Sequence, residues 1–221
     1  MAKHVKLFEG WLSDVAQLFT GVAADVESTK PDTEEFKEFE NDIEDLSDRA
    51  AQTKLVPMKD KEKYFVVHHT AGRGKAEDVV NILNDRNLGV QWVIDREGKV
   101  FKTFPDGLTA WHAGTEAKDR KPGAPKDLHN DTAQGVEVIA SDDSDVLPVQ
   151  VLAAFKLIKW LGYGKDDVWG HGEITFNKES TEGKTICDFW RDNFDKSIAE
   201  VEREFAAEDF AKTKVAAAKN A

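Results

Sequence analysis

The stretch YFVVHHTAG, residues 64–72, is an apolar run that ends in two histidines and a small-residue turn. Its β-branched and aromatic composition predicts a buried strand. Because successive side chains of a strand point to opposite faces, only one of His68 and His69 can line a given site. One histidine is therefore a candidate metal ligand and the other packs. On this segment alone, two ordinary histidines that close a core strand are the alternative.

The composition describes an acidic chain without disulfides. With 221 residues it can bury a full core, and we expect one domain with appendages. A net charge of −12 argues against binding to nucleic acid or to anionic lipid, since both need clustered Lys and Arg. The one cysteine, Cys187, excludes an intramolecular disulfide.

The amino-terminal residues carry no signal-peptide pattern, and no apolar run is long enough to span a membrane. We therefore expect synthesis in the cytoplasm without a signal peptide and no membrane insertion. An extracytoplasmic target would then be reached by lysis, injection or a dedicated export route.

Two helices are predicted before the main domain. Apolar residues recur at helical spacing between Val5 and Val22, and a strongly acidic helix starts at Pro31 and continues through Asp48. The acidic run is read as a solvated face, with a docking or inhibitory segment as the alternative. The expected division is an acidic helical extension at 1–55, a main domain at 63–205 and an Ala/Lys-rich tail at 206–221.

Strand-like and helix-like segments alternate in the main domain. The turn Asp95-Arg96-Glu97-Gly98 predicts a hairpin between two of the strands. The sum is an α/β fold with a mixed central β-sheet flanked by helices and an added N-terminal helical segment. Besides the opening run, the predicted strands are Val90–Ile94, Val100–Phe104, Thr109–Ala113, Gly135–Ala140 and Asp167–Gly170, and the predicted helices are Ala76–Asn87, Pro148–Leu161 and Thr185–Phe205.

A second strand-terminal histidine, His171, follows a short apolar strand and stands between two glycines. Two such histidines, far apart in sequence, are what a folded metal site needs. Catalytic zinc usually takes three protein ligands and leaves one position for water, whose pKa it lowers to about 7. The third ligand is expected downstream, as Cys, Asp or Glu.

Five segments together resemble one known family. They are VVHHTA at 66–71, QWVIDREGKV at 91–100, AWHAG at 110–114, NDTAQGVE at 130–137 and WGHGEI at 169–174. In this order they are similar to segments of the zinc-dependent type-2 N-acetylmuramoyl-L-alanine amidases, which include phage amidase endolysins and peptidoglycan recognition proteins. The resemblance covers roughly residues 64–191.

The resemblance implies that His68 and His171 bind zinc and that His69 packs on the other face. At the third ligand this chain departs from the family, which usually carries Asp or Cys there. The window 177–188 offers Glu182, which we predict as the ligand because of its distance from His171 and its position at the mouth of a helix. The alternatives in this window are Cys187, the main competitor, Glu179 and Asp188.

The resemblance also implies catalytic residues. Lys178 resembles the basic residue that stabilises the oxyanion, with Lys184 as its competitor. Glu173 is the candidate general base, because Val90 stands where some phage members carry a catalytic tyrosine, but a role in orienting His171 is the favoured interpretation of this residue.

Three residues are implied to bind substrate: Trp111, His112 and Asn130. The implied activity is hydrolysis of the amide bond between N-acetylmuramic acid and the L-alanine of the stem peptide in peptidoglycan. A phage or phage-like origin is expected, and a non-catalytic peptidoglycan-binding module of the same fold is the alternative. The N-terminal helices are a candidate docking segment for a phage particle or a partner protein.

Overall fold

A computed structural model of the chain describes residues 34–51, 56–58, 62–114 and 117–207. In these ranges a mixed six-stranded sheet carries helices on its faces, as the α/β prediction requires. Within them no helix is both long and apolar enough to cross a membrane. The predicted helix between residues 5 and 22 lies outside the described residues.

The strands are β1 (Glu44–Asp45), β2 (Tyr64–His69), β3 (Trp92–Ile94), β4 (Val100–Lys102), β5 (Ala133–Val138) and β6 (Val168–Gly170). The helices are α1 (Glu34–Asp42), α2 (Ala76–Asp85), α3 (Pro148–Leu161), α4 (His171–Ile174), α5 (Lys184–Asn193) and α6 (residues 198–207).

The sheet order is β1-β4-β3-β5-β2-β6. Only β3 and β4 pair antiparallel, and the turn between them confirms the predicted hairpin. In that turn Asp95 Oδ1 accepts the backbone N–H groups of Glu97 (3.0 Å) and Lys99 (2.8 Å). Gly98 adopts a φ of +82°, which suits glycine. The other pairings are parallel, so the carboxyl ends of β2, β5 and β6 lie at one edge.

The two faces of β2 have different partners. Phe65 and Val67 pack in the large core beneath α3 and α5, whereas Val66 belongs to a smaller cluster on the opposite face. His68 shares the face of Val66 because strand side chains alternate. His69 points to the other face, as predicted, and its two ring nitrogens are buried with no hydrogen-bond partner among the described residues.

The predicted strand Thr109–Ala113 is wrong. Leu108, just before this segment, forms an isolated β-bridge with Pro57, and residues 109–113 belong to no strand. The backbone N–H groups of His112 and Ala113 are instead satisfied by Asn130 Oδ1, at 3.0 and 2.7 Å. A side chain that supplies the acceptor removes the need for a neighbouring strand.

The acidic helix is shorter than predicted and ends at Asp42. After it, β1 pairs in parallel with Phe101 and Lys102 at the edge of the sheet, and the Leu46 N–H donates to the Lys102 carbonyl at 2.8 Å. Phe36 of α1 is buried in the large core. Residues 34–49 therefore add a strand and core contacts to the fold, while the domain division at 55 and 63 stays a prediction.

The predicted helix Thr185–Phe205 is interrupted. It ends at Asn193, and a second helix runs over residues 198–207. The restart is a reciprocal cap, because the Ser197 N–H donates to Glu200 Oε2 at 2.8 Å and the Glu200 N–H donates to Ser197 Oγ at 3.3 Å.

Glycines let the loop before α5 pack directly against β2 and β6. Gly183 has a φ of +83°, and a Cβ there would lie 2.5 Å from the Val67 carbonyl oxygen and 2.9 Å from Gly170 Cα. A Cβ on Gly172 would lie 2.1 Å from the Glu179 carbonyl oxygen. This close approach sets the position of the residues between 179 and 183.

We expect Gly183→Ala to be clearly more destabilising than Gly107→Ala. Both glycines have positive φ, but nothing lies within 4 Å of a Cβ at Gly107. The left-handed backbone alone costs about 1 to 2 kcal/mol, and the clash at Gly183 adds about 1 to 3 kcal/mol. Denaturant unfolding of both variants measures the difference, and equal losses would contradict the packing described here.

Candidate metal centre and active site

Three side chains that are distant in sequence meet at one point. His68 is the penultimate residue of β2, His171 begins α4 directly after β6, and Glu182 lies in the loop before α5. One ligand atom from each lies within 4.8 Å of the others, and all three residues are buried. Glu182 Oε1 is 3.4 Å from His68 Nδ1 and 3.2 Å from His171 Nδ1. The structure thus brings together the three residues predicted as ligands.

The backbone holds this cluster in place. Strands β2 and β6 are neighbours in parallel register, with Val67 opposite Gly170, so the residues that follow them emerge side by side. The loop is tied to α4 because the Gly172 N–H donates to the Glu182 carbonyl at 3.0 Å. The position of Glu182 therefore depends on the same contacts that require glycine at 170, 172 and 183.

The pKa shifts in the cluster favour the protonation states in which these side chains bind a metal. Burial raises the pKa of Glu182, but the hydrogen bond with His171 and the nearby ring of His68 outweigh it and hold the pKa below its usual range. Burial, followed by the charge of His171, lowers the pKa of His68 well below the usual value. Metals bind carboxylates and neutral imidazoles, so both shifts suit a metal site.

The donor set fits zinc. Two imidazole nitrogens and one carboxylate oxygen are a common set in catalytic zinc sites, which keep the fourth position open. A buried carboxylate also needs a compensating cation. The described cation that contacts Glu182 is Lys178, whose Nζ lies 3.4 Å from Oε1 with 42% of its side chain exposed. A metal ion among the three ligand atoms would add positive charge directly beside the buried carboxylate.

The competing third ligands lie elsewhere. Cys187 on α5 is fully buried in the large core, and burial raises the pKa of its thiol well above the usual value. Glu179 is exposed, and Asp188 pairs with Lys184 on the surface of α5. Among the four candidates in this window, Glu182 is the one that lies in the histidine cluster.

The predicted oxyanion residue Lys178 lies at the rim of the cluster, through its contact with Glu182. Its competitor Lys184 is engaged by Asp188. The position of Lys178 suits a cation that acts on charge developing at the metal site. Its catalytic role stays a prediction.

Glu173 is held by Arg191 and by the backbone of Gly170. Its carboxylate accepts from both guanidinium nitrogens of Arg191, at 2.7 and 2.8 Å, and from the Gly170 N–H at 2.9 Å. Burial raises the pKa of Glu173, but the Arg191 hydrogen bond outweighs it and the net pKa is lowered. These contacts tie α5 to the start of α4. The predicted role of Glu173 as a base stays untested by them.

Glu137 is a candidate catalytic residue that the sequence pattern alone does not single out. It is the register partner of His68 on the neighbouring strand and shares its face with Ala133 and Gly135. Its Oε2 is buried with no hydrogen-bond partner among the described residues. Burial, followed by the charge of Glu182, raises its pKa to about 8. The available signal was a charged residue inside an otherwise uncharged, largely buried strand.

The three predicted substrate residues lie close to one another. Asn130 orders the segment that carries the half-buried Trp111 and His112, through the two hydrogen bonds of its Oδ1 described above. The His112 ring contacts the His68 ring, and its Nδ1 lies 3.1 Å from His68 Nε2. Contact with substrate stays a prediction for all three residues.

Comparisons with known proteins give one family and several structural likenesses. Residues 58–187, more than half of the chain, match the model of the N-acetylmuramoyl-L-alanine amidase family. No curated protein sequence matches significantly. The structure is similar to the amidase LysC from Clostridium intestinale URNW, with 17% identity, a TM-score of 0.46 and coverage of 61% of this chain and 85% of that one. The Ph2119 endolysin from the Thermus scotoductus MAT2119 bacteriophage Ph2119 is 21% identical, with a TM-score of 0.44 and coverage of 61% of this chain and 88% of that one. Wild-type Drosophila PGRP-LB is 17% identical, with a TM-score of 0.46 and coverage of 67% of this chain and 92% of that one.

Proposed function

The chain belongs to the N-acetylmuramoyl-L-alanine amidase family, and from this we propose that it is a zinc-dependent peptidoglycan hydrolase. The bond cleaved is the amide between the lactyl group of N-acetylmuramic acid and the L-alanine of the stem peptide. The observation that carries the proposal is the buried cluster of His68, His171 and Glu182, whose ligand atoms lie within 4.8 Å of one another. These three residues would hold the metal.

Each residue around the cluster has its own proposed role in the reaction. When bound, zinc would supply a Lewis acid that lowers the pKa of water and polarises the amide carbonyl. Glu137 accepts a proton from the attacking water and passes it to the departing amino group of L-alanine. Lys178 stabilises the negative charge that develops on the carbonyl oxygen. Trp111, His112 and Asn130 are proposed to line the substrate groove.

The non-catalytic binding module is not favoured. That alternative assumes a missing third ligand, and Glu182 lies beside both histidines with its carboxylate facing their Nδ1 atoms.

The proposal also covers the source of the protein, the place where it acts and the role of its amino-terminal residues. We propose a phage or phage-like source, action on the cell wall after lysis, injection or export, and a docking role for residues 1–55. Because Phe36 and β1 belong to the fold, the shortened chain that tests this docking role should lack residues 1–33 and start at residue 34.

Chelation is expected to abolish hydrolysis reversibly. With metal removed, cleavage of purified peptidoglycan should fall by at least about a thousandfold, because the attacking water would lose the activation that bound zinc would supply at neutral pH. Stoichiometric zinc should restore it. Turbidity loss and the release of stem peptides with a free amino-terminal L-alanine measure the rate, and a far-ultraviolet circular dichroism spectrum controls for unfolding. Full activity in the presence of chelator would contradict the zinc mechanism.

A further inference from the structure

We propose that His112 is a positioning residue that fixes the tautomer of His68, so that His68 presents the lone pair of its Nδ1 to the metal. The inference deepens the proposed function and rests on it only in taking His68 as a ligand. The relay of hydrogen bonds that carries it runs from a backbone carbonyl through two imidazole rings to the metal cluster.

The first step is the Ala133 carbonyl. Its oxygen lies 3.2 Å from His112 Nε2, and a carbonyl oxygen can only accept a hydrogen bond. The proton of an uncharged His112 ring is therefore on Nε2, and its Nδ1 is an acceptor.

The second step passes this assignment to His68. His112 Nδ1 lies 3.1 Å from His68 Nε2, so His68 Nε2 must donate. In an uncharged His68 the proton is then on Nε2 and the lone pair is on Nδ1. That Nδ1 lies 3.4 Å from Glu182 Oε1. Two acceptors face each other there, and a cation between them is the arrangement that satisfies both.

Packing prevents the His112 ring from turning away. The ring lies directly over Gly135, where a Cβ would come within 2.5 Å of His112 Nδ1. It meets the His68 ring edge to face, with centroids 5.2 Å apart and an interplanar angle of 82°. Its backbone N–H is held by Asn130. Gly135 therefore provides the space in which His112 reaches both Ala133 and His68.

The experiment compares two substitutions in the full chain. His112→Phe keeps a ring of similar size and removes the acceptor, whereas His112→Asn can place an amide oxygen where Nδ1 lies. Loss of an outer hydrogen-bond partner typically weakens metal binding 10- to 100-fold. We expect zinc affinity, measured by competition with a chromogenic chelator, to fall by about that factor in His112→Phe and to stay within about threefold of wild type in His112→Asn. His129→Phe, at an exposed histidine, is the matched control and should bind like wild type.

A second readout needs neither a variant nor the metal. Nitrogen-15 chemical shifts of the histidine rings, recorded on the metal-free wild-type chain at pH 8, report which nitrogen of each ring is protonated. We expect Nε2 protonation for both His68 and His112. A His68 protonated on Nδ1, or a folded His112→Phe variant that binds zinc like wild type, would overturn the proposal. A wild-type chain that binds no zinc would instead refute the proposed function, and the ring tautomers would still decide the inference.

Discussion

Replacing Glu182 with Ala is expected to abolish stoichiometric zinc binding and peptidoglycan hydrolysis together. The carboxylate is one of three buried ligand candidates, and its Oε1 lies within 3.4 Å of both histidine Nδ1 atoms. Loss of an outer-shell partner already weakens metal binding by 10- to 100-fold, so loss of a ligand should cost more than about a hundredfold. Hydrolysis should fall with it, because the bound metal would supply the activation of the attacking water. Equilibrium dialysis with metal analysis and a cleavage assay measure the two losses.

The matched control is Cys187→Ala, which tests the competing ligand. Cys187 is fully buried among the core residues of α3 and α5, so the substitution removes one sulfur from the core and leaves the cluster intact. We expect this variant to bind one zinc and to hydrolyse peptidoglycan at the wild-type rate, with some loss of stability. Zinc retained in Glu182→Ala and lost in folded Cys187→Ala would show that the third ligand is the thiol.

Replacing Glu137 with Gln is expected to lower kcat by about a hundredfold to ten-thousandfold, the usual contribution of a general acid or base. The amide keeps the shape of the side chain but cannot accept and return a proton. Glu137 faces the cluster from the strand beside His68, yet it is not one of the three ligand candidates. Zinc content should therefore stay at one per chain. Turnover of a soluble muropeptide and metal analysis of the same sample measure both quantities.

Glu173→Gln is the comparison that separates the two candidate bases. Its carboxylate binds Arg191 and the Gly170 N–H, so the substitution should weaken the connection between α4 and α5. We expect lower thermal stability with kcat within about threefold of wild type. If Glu173→Gln loses turnover while Glu137→Gln keeps it, the assignment of the base is reversed.

Local signals predicted the parts of the fold that local chemistry determines. The strand β2 is a continuous apolar run, and the β3–β4 hairpin has an Asp and a Gly at the turn positions that need them. The helix α3 was predicted with its observed bounds, because Pro148 opens it and Gly162 closes it with a φ of +79°. The opposite faces of His68 and His69 follow from strand geometry alone.

Contacts between distant segments explain what the sequence did not reveal. Thr109–Ala113 has strand composition, but the N–H groups of His112 and Ala113 are satisfied by Asn130, which lies 18 and 17 positions away in the sequence. Glu137 gains its unusual environment from the strand pairing that places it beside His68 and from the charge of Glu182. Neither relation leaves a periodic signal in the sequence. Glu182 was selected from four candidates through the family resemblance, and its place beside the two histidines is seen only in the folded chain.

The identity of the new amino termini tests the central claim most directly. Purified peptidoglycan is digested with the zinc-loaded wild-type chain, and the released fragments are identified by amino-terminal labelling and mass spectrometry. The account predicts stem peptides that begin with a free L-alanine, together with glycan strands that keep intact N-acetylmuramic acid. New reducing ends on the sugars, or amino termini within the stem peptide, would contradict it.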